Sequence, residues 1–166
     1  MIKGQDIVVL AALMDANRQN DTYAELGTHV CLSASETHAA VKRLLNAALI
    51  NDKHRIFKHN AMEFLVHGLR YTFPLRPAGV MTKGLPTAYA APIAEGLFAT
   101  TGVCPVWSWN GGNTYGQSIE PLYKTAPEAA SKDRRLYNWL ALLDMLRGGR
   151  LRERIFAQKK LQEMMS

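Results

Sequence analysis

Ser35, His38, Ala39, Lys42 and Asn46 recur at intervals of three or four residues, so on a helix they form one face. That face carries small or hydrogen-bonding side chains, one cation and no bulky hydrophobe. Such a face can enter the major groove of duplex DNA and present donors and acceptors to base edges. A second group follows closely, Lys53, His54, Arg55 and Lys58, and with Lys42 and Arg43 it has only Asp52 and Glu36 as local acids. Its chemistry is the neutralisation of a polyanion. Turnover chemistry has no comparable support, and no enzyme activity is expected. There is no glycine-rich loop ahead of a helix, no pair of carboxylates in a polar cluster and no nucleophile with a recognisable base, and GGNTYG at 111–116 reads as a loop. His54 and His59 have no cysteine or carboxylate at a ligand spacing, so neither a metal nor a cofactor is expected.

Two helix starts position these groups. Thr22-Tyr23-Ala24-Glu25 and Ser33-Ala34-Ser35-Glu36 both have the form in which a hydroxyl accepts from the backbone N–H three residues on while the glutamate reaches back. The first helix can run only to about Val30, which leaves Cys31 and Leu32 as a turn. Tyr23, Leu26 and Val30 share a face of the first helix; Thr37, Val41, Leu44, Leu45 and Ala48 share a face of the second. Upstream, residues 4–16 read as a helix that is apolar almost all round over 7–14. Downstream, 49–51 and 55–58 read as paired strands about a turn at 52–54. Asn60 and Glu63 then mark a further helix start, continued by Met62, Leu65, Val66 and Leu69 to about Tyr71.

Residues 22–58 resemble the winged helix-turn-helix of bacterial transcription regulators, in particular the MarR-like kind. The typical run there is a hydroxyl-led "tyaeLA", then "lglS", then a helix ending "vkrLleaGLi". Thr22 to Leu26, Leu32-Ser33, and Val41 to Leu44 with Leu49-Ile50 match it. Gly27 stands where alanine is usual, and Cys31 and Ala48 stand where glycine is usual. The resemblance implies that Ser35, His38, Ala39, Lys42 and Arg43 read bases and that Lys53, His54 and Arg55 touch the minor groove or phosphates. With Ser33 and Lys58 these make up the candidate DNA-contacting set. The implied function is a cytoplasmic, sequence-specific transcription regulator, a repressor acting as a homodimer on double-stranded DNA. The alternative is a winged-helix interaction module, antitoxin-like or accessory, that does not read DNA by itself.

The remaining residues fit this frame. Twenty basic against 14 acidic residues give +6, concentrated beyond residue 131, which favours a polyanionic partner. Cys31 and Cys104 have no metal-type spacing and suit reduced thiols. The apolar run at 7–14 is too short to span a bilayer, so no membrane association is expected. The expected fold is mainly α with a small β-wing: a DNA-binding domain at 1–71, an irregular packing segment at 72–130, and a helical region at 131–166. The middle segment holds all seven prolines and seven of the 12 glycines, so regular structure should be sparse there, with a hairpin about Gly111-Gly112 as one option. Trp107, Trp109 and Tyr115 suit either an effector pocket for a small molecule or core packing, and core packing is favoured. Leu136, Trp139, Leu140, Leu143 and Leu146 form a helical stripe, which Leu151, Ile155 and Leu161 continue beyond Gly148-Gly149 as one helix or a helical hairpin. Arg147, Arg150, Arg152, Arg154, Lys159 and Lys160 read as a solvated face that contacts flanking DNA. The helix at 7–14 and the stripe from Leu136 to Leu143 supply the expected dimer interface.

Overall fold

The computed structural model describes residues 1–99 and 102–166. Helix α1, Gly4–Leu13, is buried from Asp6 to its end and forms the centre of the core. It stops earlier than the apolar pattern suggests. The Asp15 carboxylate accepts from Asn17 N at 3.0 Å and begins a separate 3-10 turn, Ala16–Arg18, in place of another α-helical turn. Helices α2, Tyr23–Val30, and α3, Ala34–Asn46, begin at the two expected capping boxes. In both, the hydroxyl of the cap accepts at 3.1 Å from the glutamate N–H three residues on.

The segment after α3 departs from the expected strand pair. Ile50 and Ile56 form a single antiparallel bridge, and the next helix, α4, already starts at Lys58 and runs to His67. Asn60 does not cap that helix: its side-chain N–H donates at 2.8 Å to the carbonyl of Ala48. A short α5, Leu69–Thr72, follows.

The proline- and glycine-rich middle holds more regular structure than its composition implies. Strand β1, Pro77–Pro86, pairs antiparallel with both β2, Pro105–Ser108, and β3, Thr114–Ile119. β2 and β3 pair in parallel on the far side, which closes a three-stranded barrel. The bend at Gly111-Gly112 is therefore a crossing over β1 and not a hairpin. Glycines make the closure sterically possible. A Cβ on Gly112 would lie 2.2 Å from the Gly84 carbonyl, and one on Gly116 would lie 2.2 Å from the Cys104 carbonyl oxygen. The molecule is thus a mixed α/β fold, mainly helical, with one small sheet.

Helix α6, Ala126–Lys132, leads into α7, Arg134–Gly148, which is buried over most of its length and packs on α1, on α6 and on the final helix α8, Leu151–Met165. Gly149 is extended and ends α7, so α7 and α8 form a helical hairpin. The reversal also changes the phase of the apolar stripe. Ala157, Leu161 and Met165 face the core, while Leu151 and Ile155 are exposed. The side chains expected at a dimer interface are used by the chain's own core: Ile7 to Leu13, Leu136, Trp139, Leu140 and Leu143 are each no more than 3% exposed.

Arg147 is not part of a solvated basic face. Its Nη1 donates at 2.7 Å to Asp144, which is fully buried and also accepts from Thr87 Oγ1 at 2.7 Å and Trp107 Nε1 at 2.8 Å. Arg147 Nε donates to the Phe73 carbonyl at 2.8 Å. Burial pushes the Asp144 carboxyl up, and Arg147, Thr87 and Trp107 pull it back. This network joins α7 to the barrel. Nearby, Tyr137 donates its hydroxyl to the Pro86 carbonyl, and burial pushes the phenol up to about 12, so it remains a donor at neutral pH.

Candidate nucleic-acid interface

The approach of α3 to α2 depends on three backbone positions. A Cβ on Gly27 would lie 2.6 Å from the Leu32 carbonyl oxygen and 2.8 Å from Thr37 Oγ1. Alanine there improves helix propensity by about 1 kcal/mol but crowds the backbone of the turn. Glycine at this position is thus required by close approach. Cys31 (φ 61°) and Ala48 (φ 56°) occupy left-handed conformations, the first ending α2 and the second following α3. Each costs roughly 1–2 kcal/mol that glycine would avoid. The Asn60 bond to the Ala48 carbonyl and the Leu32 N–H bond to the Gly27 carbonyl, at 2.8 Å each, hold the two bends in place.

Ser33, Ser35, His38 and Lys42 are exposed on α3, with Ala39 half-buried between them. The opposite face, Thr37, Ala40, Val41 and Leu44, is fully buried. After α3, the Asn51 side-chain oxygen accepts from both Lys53 N and Arg55 N at 2.9 Å, and His54 takes φ 58°. This is a compact turn that leaves Lys53 and Arg55 exposed. Lys58 is exposed at the start of α4. Among the described residues, none of Lys42, Lys53, Arg55 and Lys58 has a salt-bridge partner.

Tyr23 joins the two groups. Its ring meets His38 edge-on at 4.8 Å between centroids and lies 5.8 Å from His54. His54 is consequently half-buried against α2 and does not stand at the tip of the turn. Tyr23 thus packs against one residue of the exposed α3 face, His38, and one residue of the turn, His54.

Arg43 has a different position from its neighbour Lys42. Its Nε and Nη2 donate at 2.8 Å each to the two carboxylate oxygens of Asp6, which is 0% exposed. The hydrogen bond to Asp6 raises the guanidinium above its ordinary pKa against the opposing effect of burial. Asp6 also accepts from Lys3 N at 2.8 Å, so a single carboxylate begins α1 and anchors α3. The roles of Asp6 and Asn51 have no counterpart in the sequence pattern, and Asn60, expected to begin a helix, instead holds the Ala48 carbonyl. The available signal for Asp6 was a lone acid near the start of an otherwise apolar helix.

Of the aromatics in the middle segment, Trp107 is 1% exposed in the core and Tyr115 is 69% exposed, so they do not line a common pocket. No helix of the described residues is long and apolar enough to cross a membrane. In comparisons with known proteins, the chain matches no protein family, no curated protein and no solved structure.

Proposed function

We propose that residues 1–71 act as a winged helix-turn-helix of the MarR-like kind, and that the chain is a sequence-specific transcription regulator that represses by occupying its operator. In this reading α3 lies in the major groove, with Ser35, His38 and Lys42 toward base edges and Ser33 and Ala39 in close approach to the duplex. The turn at residues 51–55 is the wing. Lys53, Arg55 and Lys58 meet phosphates, and His54 holds the wing against Tyr23. Arg43 orients α3 through Asp6 and takes no base. One observation carries the proposal. Tyr23 packs against His38 on the exposed hydrogen-bonding face of α3 and against His54 in the turn, where the flanking Lys53 and Arg55 are exposed cations without salt-bridge partners among the described residues.

One such unit makes few base contacts, so the working form is a homodimer with two α3 helices about 34 Å apart along the duplex. Its interface lies outside α1 and α7, whose apolar residues are already buried. The experiment is selection of duplexes from a random-sequence pool by the full chain, followed by titration of the selected and a random duplex. His38→Ala and Lys42→Ala should each lower discrimination between the two by about 1–3 kcal/mol, with the unfolding midpoint unchanged for Lys42→Ala and a stability loss of about 0.5–1.5 kcal/mol for His38→Ala, which loses its contact with Tyr23. If both variants weaken the two duplexes equally, α3 does not read bases.

A further inference from the structure

A cleft of about 660 Å³ lies next to the turn at residues 51–55. Its walls come from the 14–20 segment, from residues 55–58, from the first turn of α7 and from the end of α8. Three cations from two parts of the fold line it: Arg55 and Lys58 from residues 55–58, and Arg135 from α7. The one acidic side chain in the lining, Asp15, already accepts from Asn17 N and stands 4.0 Å from Arg135 Nη1. The side-chain amides of Asn17 and Asn20, also in the lining, are exposed and make no intramolecular hydrogen bond among the described residues. Met14 and Ile56 supply apolar contact for a short carbon body.

We propose that this cleft binds a small organic or inorganic dianion, a phosphate or a dicarboxylate, and that the occupant competes with duplex phosphates for Arg55 and Lys58. Asp15 offsets only one of the three positive charges, at 4.0 Å from Arg135, and a dianion balances the remaining two while accepting charge-assisted hydrogen bonds. The amides supply neutral donors that fix its orientation. Arg135 lies outside residues 1–71, so it separates this site from the DNA-contacting set. Anion binding itself does not depend on the DNA reading; the competition rests on it.

The test is calorimetric titration of the full chain with inorganic phosphate and, separately, malonate, at an ionic strength held constant with potassium chloride. One of the two should saturate at one site per chain, and which one does identifies the ligand class. Arg135→Ala should weaken that binding about tenfold, and Asn20→Asp, which adds a repelling carboxylate, at least as much. Neither change should alter the thermal unfolding midpoint or the affinity for a random duplex. Saturating anion should lower duplex affinity of the wild-type chain beyond a chloride control of equal ionic strength. The site is overturned if neither anion saturates by about 10 mM, or if Arg135→Ala binds as the wild type does. If the anion binds in an Arg135-dependent way while duplex affinity is unchanged, the competition is overturned and the site stands. Anion binding with no duplex binding at all would instead overturn the DNA reading.

Discussion

Asp144→Ala should destabilise the protein by about 3–5 kcal/mol, a large part of the roughly 5–15 kcal/mol expected for a domain. The carboxylate is fully buried and is shared by Arg147, Thr87 and Trp107. Its removal leaves a buried guanidinium without a counter-charge and leaves an indole N–H and a hydroxyl without an acceptor. Each orphaned neutral donor costs about 1–3 kcal/mol by itself. Arg147 keeps its bond to the Phe73 carbonyl, which prevents a still larger loss. Urea unfolding provides the measurement. The double variant Asp144→Leu, Arg147→Met should lose less than the sum of the two single changes, because no unpaired charge remains. A single-variant loss under about 1 kcal/mol would mean that water reaches Arg147 and that the barrel is not sealed against α7.

Arg43→Ala should cost about 3 kcal/mol, the low end for breaking a buried ion pair. The low end applies because the Arg43 side chain is 21% exposed while that of Asp6 is 0% exposed, so only one of the two charges is wholly cut off from water. After the change, the Asp6 carboxylate retains only the Lys3 N–H. Lys42→Ala, one residue away, should stay within about 0.5 kcal/mol of the wild type. Paired melts of the two variants separate a residue that positions α3 from one that faces outward from it. Equal stability of the two would show that water reaches Asp6 and that Arg43 is free to meet a ligand.

The part of the fold most legible in the sequence was the part governed by local chemistry. Two capping boxes predicted where α2 and α3 begin, because the hydroxyl, the glutamate and the N–H groups they satisfy all lie within four residues. The stripe on α7 was legible for the same reason, its period being a local property. What escaped depends on contacts distant in the chain. Gly84, Gly112 and Gly116 look like loop residues in sequence, and only the close approach of distant backbone, Trp107 to Gly84, Gly84 to Gly112 and Cys104 to Gly116, explains why nothing larger fits. Asp6 and Arg43 are 37 residues apart, so no local pattern connects them. In the candidate site, the charges and the face of α3 were legible from spacing, whereas the inward turn of His54 onto Tyr23 was not. Cys31 and Ala48 both carry a positive φ that their residue types do not signal, since neither cysteine nor alanine commonly adopts it.

If residues 1–71 hold a duplex as proposed, they do so through the exposed cations Lys53, Arg55 and Lys58. The most direct measurement is the salt dependence of duplex binding by the wild type and by the triple variant Lys53→Ala, Lys58→Ala, Arg55→Ala. The plot of log affinity against log salt should be shallower in the triple variant by about 2.7, three lost phosphate contacts at roughly 0.9 each. Its unfolding midpoint should match the wild type, since all three side chains are exposed. A folded wild-type chain that binds no duplex at low salt, or a triple variant with an unchanged slope, would contradict the claim and leave the interaction-module reading in its place.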